Sequence, residues 1–155
     1  MNRKLHIMRG LPGSGKSHLA KTLVPKDNIF STDDFWGPEY NFDFKKLFVA
    51  HKWNQERVEH AMVALVPNIA CDNTNTTLKE MEPYIELAEE YGYEVELHEP
   101  TTDWWMECLE AVQSNDAVRV TKAIELLSEY GTHDVPKETL NKMLNRWVPT
   151  SEIVL

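Results

Sequence analysis

Short apolar runs alternate along this chain with longer segments in which apolar residues recur every three or four positions. The short runs predict four β-strands, and the longer segments predict helices between and after them. The predicted strands are residues 4–8, 28–31, 68–71 and 93–97, and the predicted helices are residues 14–23, 42–66, 78–90, 104–113 and 116–130, with one more after Pro136. Strands separated by helices are typical of a parallel sheet with right-handed crossovers. We therefore predict an α/β three-layer sandwich around a mainly parallel sheet of four or five strands, with its functional site at the C-terminal ends of the strands.

The longest predicted helix, residues 42–66, contains no glycine or proline. Its apolar positions recur at helical spacing and predict one buried stripe. That stripe consists of Phe44, Leu47, Phe48, His51, Val58, Met62 and Leu65. Because His51 falls within it, we expect a hydrogen-bonded histidine in the core.

The composition narrows the possible functions. A chain of 155 residues suits one domain, so we predict a single domain over residues 1–155. The 25 acidic residues outnumber the 16 lysines and arginines, and the formal charge of −9 would repel a nucleic-acid backbone over most of the surface. With no run of about 20 apolar residues and no leader-like segment, we expect a cytoplasmic protein without membrane contact. Cys71 and Cys108 are expected to be buried, reduced thiols.

Residues 10–17, GLPGSGKS, satisfy the phosphate-binding pattern GxxxxGK[ST] between a predicted strand and a predicted helix. Glycines in such a loop let successive N–H groups turn inward and form an anion nest at a helix N-terminus. Lys16 would reach the β- and γ-phosphates, and the Ser17 hydroxyl would bind Mg²⁺. The predicted nucleotide-binding residues are Gly10, Pro12, Gly13, Ser14, Gly15, Lys16, Ser17 and His18. The motif predicts a P-loop NTPase fold with ATP and Mg²⁺ as cofactors.

Acidic residues follow the second and third predicted strands, at the edge of the sheet where the phosphate loop also lies. Asp33 and Asp34 are adjacent and cannot both point into one site, so we expect Asp33 to act as general base and Asp34 to cap or orient. A plain helix cap is the alternative for this pair. Asp72 follows the third strand and is the candidate second ligand of Mg²⁺ beside Ser17.

Five motifs together resemble the bacteriophage-type polynucleotide 5′-hydroxyl kinases and related small P-loop kinase domains. They are GLPGSGKS, STDDF, AHKWNQER at 50–57, CDNTNT at 71–76 and EPTTDWW at 99–105. The similarity spans roughly residues 5–105 and continues more weakly over 135–143. It implies a kinase-like P-loop fold, a nucleic-acid end as acceptor, Asp33 as the base that activates its 5′-hydroxyl, and Asn75 as a brace beside the active site.

Several further side chains are candidate contacts for the acceptor. Asn54 and Arg57 lie three residues apart on the long helix, and Arg57 would contact an acceptor phosphate, pair with an active-site aspartate, or remain a surface charge. Trp36 and Trp53 could stack on a base, although core packing is the commoner role of tryptophan. The predicted substrate-binding residues are Asp34, Trp36, Asn54, Arg57 and Asn75.

A helical lid is predicted around residues 115–136, because phosphoryl transfer needs a cation near the moving group. The resembling kinases usually carry an arginine just before the segment 128–136 and often a glycine before its Val-Pro pair, whereas this chain has Glu129 and Tyr130, and then Asp134. We therefore predict Arg119, three residues before Lys122 on the preceding helix, as the catalytic cation. A solvated helix surface is the alternative, and His133 would either close onto ATP or fix the loop.

These features predict an ATP-dependent phosphotransferase that moves the γ-phosphate to a hydroxyl, with the 5′-hydroxyl of a nucleic-acid end as the leading acceptor. A small-molecule, nucleoside or modified-base kinase of the same fold is the alternative that the acidic surface favours. A module that binds ATP without transferring phosphate is the third possibility, and the altered lid motivates it. The oligomeric state is left open.

Overall fold

A computed structural model describes residues 2–155 of the protein, which contain four parallel β-strands in one sheet and six α-helices. The strands are β1 Lys4–Met8, β2 Ile29–Phe30, β3 Asn68–Asp72 and β4 Glu94–His98. Their order across the sheet is β2-β3-β1-β4, so the strand that leads into the phosphate loop lies in the interior. Ile7 of β1 is paired with Cys71 of β3 on one side and Leu97 of β4 on the other. The predicted α/β P-loop fold is confirmed, with four strands in this sheet.

Two of the three apolar cores lie on opposite faces of the sheet. The helices are α1 Lys16–Leu23, α2 Leu47–Val63, α3 Leu78–Tyr91, α4 Asp103–Ser114, α5 Ala117–Tyr130 and α6 Lys137–Asn145. Leu5, Ile7 and Ile69 pack against α2 and α3, whereas Met8 and Ala70 pack against α1 on the other face. Because successive strand residues point to opposite faces, each strand contributes to both cores.

The third core joins the last three helices to the phosphate loop. Leu11 of the loop is fully buried among side chains of α4, α5 and α6, and Trp105 and Leu127 are at its centre. The phosphate loop is therefore fixed from outside the sheet as well as by β1 and α1. This packing ties the conformation of the loop to the C-terminal half of the chain.

The long helix differs from its prediction in both its start and its buried face. A 3₁₀ turn, Phe44–Lys46, precedes α2, which begins at Leu47. The buried residues of α2 are Ala50, Asn54, Val58, Ala61 and Met62. Phe44 and Phe48 are 76% and 81% exposed. The predicted stripe is right at Val58 and Met62 and wrong at Phe44 and Phe48, because the buried face also takes in the small Ala50 and Ala61, which the spacing of large apolar residues does not single out.

Other predicted details also change in the structure. His51 is exposed rather than in the core, and its ring lies 3.2 Å from the Thr32 hydroxyl. Leu65 lies beyond the end of α2 with a φ of 61° and is exposed. Cys71 and Cys108 are free and buried, as expected, and burial raises the pKa of each thiol to about 12. Within residues 2–155, no helix has the length and apolar character needed to cross a bilayer.

Candidate active site

The phosphate loop connects β1 to α1 and requires glycine at two positions. Gly13 and Gly15 have φ values of 87° and 100°, in the region that other residues rarely adopt. A Cβ atom at Gly15 would lie 2.8 Å from the Thr102 methyl group, and one at Gly13 would collide with the Leu127 carbonyl oxygen. Neither position accepts a side chain, so the loop conformation depends on the neighbouring α4 and α5.

Lys16, Ser17 and Asp72 come together at the ends of β1 and β3. The Lys16 ammonium lies 2.8 Å from Asp72 Oδ1, and the Ser17 hydroxyl donates to Asp72 Oδ2 at 2.8 Å. The Asp72 side chain is 6% exposed and the Lys16 side chain 12%. We call this trio the nucleotide-side cluster.

The donor set of the nucleotide-side cluster suits a hydrated Mg²⁺ and a phosphate chain. A serine hydroxyl and a carboxylate at hydrogen-bond distance are the hard oxygen ligands that Mg²⁺ prefers. The buried Ser14 hydroxyl of the loop has no hydrogen-bond partner within residues 2–155. A buried polar group without a partner is costly, so this hydroxyl fits a site that a ligand oxygen completes.

The two adjacent aspartates after β2 have different surroundings. Ser31, Asp33 and Asp34 begin the 3₁₀ turn Thr32–Trp36 as a capping box, in which the Asp34 carboxylate accepts from the Ser31 N–H and the Ser31 hydroxyl accepts from the Asp33 N–H. Asp34 also pairs with Arg57 of α2 at 2.9 Å. The exposed Asp33 carboxylate accepts one hydrogen bond, from the Tyr40 hydroxyl at 3.3 Å. Asp34 is thus held by the protein, and Asp33 is left open to solvent.

Arg57 and Tyr40 complete what we call the acceptor-side cluster, which consists of Asp33, Asp34, Tyr40 and Arg57. The Arg57 guanidinium lies over the Trp53 ring, 4.2 Å from its centroid. Burial and the Asp33 charge raise the pKa of Tyr40, so its phenol remains a proton donor at neutral pH. This cluster presents a carboxylate, a guanidinium and aromatic rings side by side.

A buried polar network connects the ends of β2 and β3. Asn54 is fully buried, and its amide donates to the Tyr84 hydroxyl at 3.0 Å and to the Phe30 carbonyl at 3.4 Å. Asn73 donates to the same Tyr84 hydroxyl at 3.3 Å and accepts from the Thr32 N–H at 2.9 Å. The structure therefore places Asn54 in the interior, where it links elements that carry both clusters. Its predicted contact with substrate stays a prediction.

The structure also places Trp36 and Asn75 in the interior. Trp36 is 5% exposed and packs edge-on against Phe42. Asn75 is 2% exposed, has a φ of 48°, and donates to the Met8 carbonyl at 2.7 Å, directly before the phosphate loop. Asn75 thus braces the strand that leads into the loop.

Arg9, which the sequence did not single out, is a fully buried side chain beside the phosphate loop. Its guanidinium donates to the carbonyls of Asn75 at 2.9 Å, Thr76 at 3.1 Å and Val148 at 2.6 Å. It also donates to the Thr150 hydroxyl at 2.7 Å. Arg9 therefore fastens the C-terminal segment to the base of the loop. The only signal in the sequence is a charge placed directly after an apolar strand.

The predicted lid is connected to the phosphate loop through Trp104 and to the acceptor-side cluster directly. Trp104 of α4 donates to the Gly13 carbonyl at 2.7 Å and stacks on Tyr130 of α5 with 3.9 Å between ring centroids. His133, in the connection after α5, stacks on Tyr40 at 3.7 Å with an angle of 6° between the rings. The Tyr40 hydroxyl in turn donates a hydrogen bond to the Asp33 carboxylate. Residues near 130 thus reach the phosphate loop on one side and the acceptor-side cluster on the other.

Arg119 is engaged by two glutamates of α4. Its guanidinium makes hydrogen bonds of 2.6 to 3.1 Å with both carboxylate oxygens of Glu107 and one of 3.0 Å with Glu110. The Glu107 contact holds the pKa of Arg119 above its usual range. Lys122 is exposed on the same helix. The catalytic role of Arg119 stays a prediction, and it requires that this guanidinium exchange glutamate for phosphate.

Comparisons with known proteins cover nearly the whole chain. The sequence profile of a family described as AAA domain matches residues 5–149. NEDD4-binding protein 2 of Homo sapiens is 38% identical over 148 residues, which are 92% of this chain and 8% of that protein. The 2′,3′-cyclic-nucleotide 3′-phosphodiesterase of Mus musculus is 31% identical over 118 residues, which are 73% of this chain and 27% of that protein. This chain therefore spans a small part of each relative.

A solved structure gives the same picture of the fold. A chain in the structure of the Pnkp1/Rnl/Hen1 RNA repair complex superposes with a TM-score of 0.56 at 21% sequence identity. The match covers 94% of this chain and 44% of that chain. At this level of sequence identity, the superposition supports a shared fold and nothing more specific.

Proposed function

Since this chain belongs to the family of AAA domains and has a P-loop kinase-like fold, we propose that it is an ATP-dependent kinase that phosphorylates the 5′-hydroxyl of a nucleic-acid end. The observation that carries the proposal is the nucleotide-side cluster. Asp72 contacts both the lysine and the serine of the phosphate loop, at 2.8 Å each. This is the arrangement that P-loop proteins use for a phosphate chain and its metal ion.

On the nucleotide side, the loop backbone and Lys16 would hold the β- and γ-phosphates of ATP. Ser17 and Asp72 would hold Mg²⁺, which neutralises charge on the phosphate oxygens when bound. Because Asp72 is almost fully buried, its carboxylate is fixed in place before any ligand arrives. Positioning and electrostatic stabilisation are the main contributions a protein makes to this chemistry.

On the acceptor side, Asp33 would accept the proton of the attacking hydroxyl. The acceptor oxygen bonds to the γ-phosphorus as the bond from that phosphorus to the β,γ-bridging oxygen breaks, and ADP leaves. Tyr40 donates to one Asp33 oxygen and leaves the other open to the substrate. Asp34 is occupied by Arg57 and the turn, so it would orient the loop.

Two features support a nucleic-acid end as the acceptor, and the net charge limits how much of it the protein would contact. Arg57 and Trp53 lie together beside Asp34, where a charge and an aromatic face suit a terminal phosphate and its base. The formal charge of −9 disfavours a long duplex, so contacts would be limited to a few terminal nucleotides. The phosphodiesterase relative acts, by its name, on a nucleotide.

We further propose that residues 115–136 act as a lid within a single kinase-like domain. Two sets of contacts support this proposal. Tyr130 stacks on Trp104, which donates to the Gly13 carbonyl of the phosphate loop, and His133 stacks on Tyr40 of the acceptor-side cluster. The two buried thiols suit a reducing compartment such as the cytoplasm.

Transfer of label from γ-labelled ATP to an oligonucleotide with a 5′-hydroxyl tests the function. A matched oligonucleotide that already carries a 5′-phosphate is the control acceptor. We expect label on the first and none on the second. Absence of label on DNA and RNA 5′-hydroxyl ends alike would refute the nucleic-acid acceptor.

A small-molecule or nucleoside kinase is the second candidate, because the acidic surface and the engaged Arg119 weaken the case for a polyanionic acceptor. ADP release measured over a panel of nucleosides, sugars and oligonucleotides distinguishes the two. Tight ATP binding without acceptor-stimulated ADP release would instead identify a binding module.

A further inference from the structure

Three side chains with metal-binding atoms cluster on the sheet, and none of them takes part in either cluster described above. They are His6 on β1 and Glu96 and His98 on β4. The parallel register pairs His6 with Glu96, and His98 is two residues further along the same strand. Since side chains alternate between faces, all three project from one face of the sheet, at the β4 edge.

Their ligand atoms already lie close together. His6 Nδ1 and His98 Nε2 are 2.9 Å apart, and Glu96 Oε1 is 3.9 Å from His98 Nε2. One ligand atom from each of the three residues falls within 4.8 Å of the other two. His6 is 7% exposed, whereas the side chains of Glu96 and His98 are 35% and 21% exposed. His6 is thus buried, whereas Glu96 and His98 leave the cluster partly open to solvent.

Neighbouring residues orient two of the three groups toward each other. Asn68 Oδ1 lies 3.2 Å from His6 Nε2 and would accept a hydrogen bond from it, which directs Nδ1 toward His98 Nε2 at 2.9 Å. Lys4 holds Glu96 Oε2 at 2.6 Å, which leaves Oε1 for another partner. Outer contacts of this kind fix the tautomer and direction of ligands in protein metal sites.

We propose that His6, Glu96 and His98 bind a divalent transition-metal ion, with Zn²⁺ as the best match. Two imidazoles and one carboxylate form a ligand set that zinc accepts, and a water molecule would take the fourth position. Mg²⁺ prefers oxygen ligands and near-ideal octahedral geometry, so this site would not compete with Ser17 and Asp72 for it.

Such an ion would cross-link the interior strand β1 to the edge strand β4. Met8 and His98 end the paired stretch of these strands, and the next residue, Arg9, donates its N–H to the His98 carbonyl at 2.8 Å. Metal binding would therefore stabilise the strand that leads into the phosphate loop. A ligand that binds only the folded state raises its stability in proportion to the logarithm of the ligand concentration.

Zinc titration of the untagged 155-residue chain tests the site, after removal of metal with a chelator. Competition against a chromophoric chelator gives the affinity and stoichiometry, and thermal melting with and without Zn²⁺ gives a second readout. We expect one equivalent of Zn²⁺ and a higher melting temperature. Cobalt(II) added in place of Zn²⁺ should give the visible absorption of a tetrahedral site.

Substitutions at the proposed ligands and at control positions test where the ion binds. His98→Ala and Glu96→Gln should each weaken zinc binding at least about tenfold and remove the rise in melting temperature. His60→Ala, a change at an exposed histidine of α2, should leave both unchanged. Asp72→Asn should also retain the equivalent of Zn²⁺, which separates this site from the nucleotide-side cluster. Equal zinc affinity in the wild type and His98→Ala, or no bound equivalent in the wild type, would overturn the proposal.

Discussion

The nucleotide-side and acceptor-side clusters lie at the C-terminal ends of the neighbouring strands β3 and β2, but they are built differently. In the nucleotide-side cluster, Lys16 and Ser17 contact a carboxylate that is 6% exposed. In the acceptor-side cluster, the Asp34 side chain is 51% exposed and its partner Arg57 25%. Charged contacts are stronger where water is excluded, so the first cluster is preorganised and the second is adaptable.

This difference suits the proposed chemistry. The phosphate chain of ATP is the same in every turnover and can be met by a rigid site. A polymer end differs in its base and its approach, and an exposed set of aromatic and charged side chains tolerates that variation. Substitutions in the nucleotide-side cluster should therefore reduce turnover. In the acceptor-side cluster, a change in the Asp34–Arg57 pair should act more on the acceptor's KM, whereas changes at Asp33 and its partner Tyr40 should lower kcat.

Apart from loss of the general base Asp33, Lys16→Met should have the largest effect of the substitutions that probe this contrast. It removes the loop's cation and leaves the buried Asp72 carboxylate without its ion pair. We expect kcat/KM for phosphate transfer to fall about 10²- to 10³-fold, as for other losses of a charge-stabilising group. Lys21→Met, at an exposed position of the same helix, is the control and should be neutral. A loss of less than threefold in Lys16→Met would remove the distinction between the clusters.

Arg9→Met should destabilise the fold that supports the nucleotide side. Three backbone carbonyls and the Thr150 hydroxyl lose their buried donor, and we expect the free energy of unfolding to fall by about 3 kcal/mol. Urea denaturation measures this change. Arg9→Lys keeps the charge but has fewer directed donors, so its free energy of unfolding should lie between those of the wild type and Arg9→Met. A cost below about 1 kcal/mol for Arg9→Met would show that the C-terminal segment does not hold the loop.

Tyr40→Phe tests the acceptor side more gently. It removes the hydrogen bond to Asp33 and keeps the ring that stacks on His133. We expect kcat to fall about two- to tenfold, because the free energy of one hydrogen bond corresponds to a change of that size. The affinity for ATP should stay unchanged. Tyr91→Phe removes a similar hydrogen bond, to Glu59, which belongs to neither cluster, and should leave kcat unaltered. Equal rates for the two variants would contradict a role for Tyr40.

Asp34→Asn should have the smallest effect. The pair with Arg57 is largely solvent-exposed, so its loss should change the free energy of unfolding by less than about 1 kcal/mol. Because Arg57 loses the partner that positions it, we expect the acceptor's KM to rise a few-fold while kcat stays unchanged. Glu56→Gln, a neighbouring exposed change on α2, is the matched control. A larger effect on kcat than on KM would place Asp34 in the chemistry itself.

The fold and the nucleotide side could be predicted because local sequence determines them. The pattern GxxxxGK[ST] fixes a loop between a strand and a helix, and parallel strands bring their C-terminal ends to one edge. The predicted strands and the resemblance to small P-loop kinase domains are confirmed. Lys16, Ser17 and Asp72 were accordingly expected to lie near one another.

Features that depend on distant partners could not be predicted. Arg9 can be buried because residues 75–76 and 148–150, all far along the chain, supply its acceptors. The buried face of α2 includes Ala50, Asn54 and Ala61, which the spacing of large apolar residues alone does not reveal. Arg119 meets Glu107 only once α4 and α5 pack side by side.

The rate of phosphate transfer by Asp33→Asn, measured together with its affinity for ATP, tests the proposed chemistry most directly. We predict that kcat falls about 10²- to 10⁴-fold, because the proton acceptor is lost, while the dissociation constant for ATP stays within twofold of the wild type. Asp27→Asn, at an exposed position before β2, should match the wild type in both. A kcat within threefold of the wild type in Asp33→Asn would contradict the assignment of Asp33 as the general base.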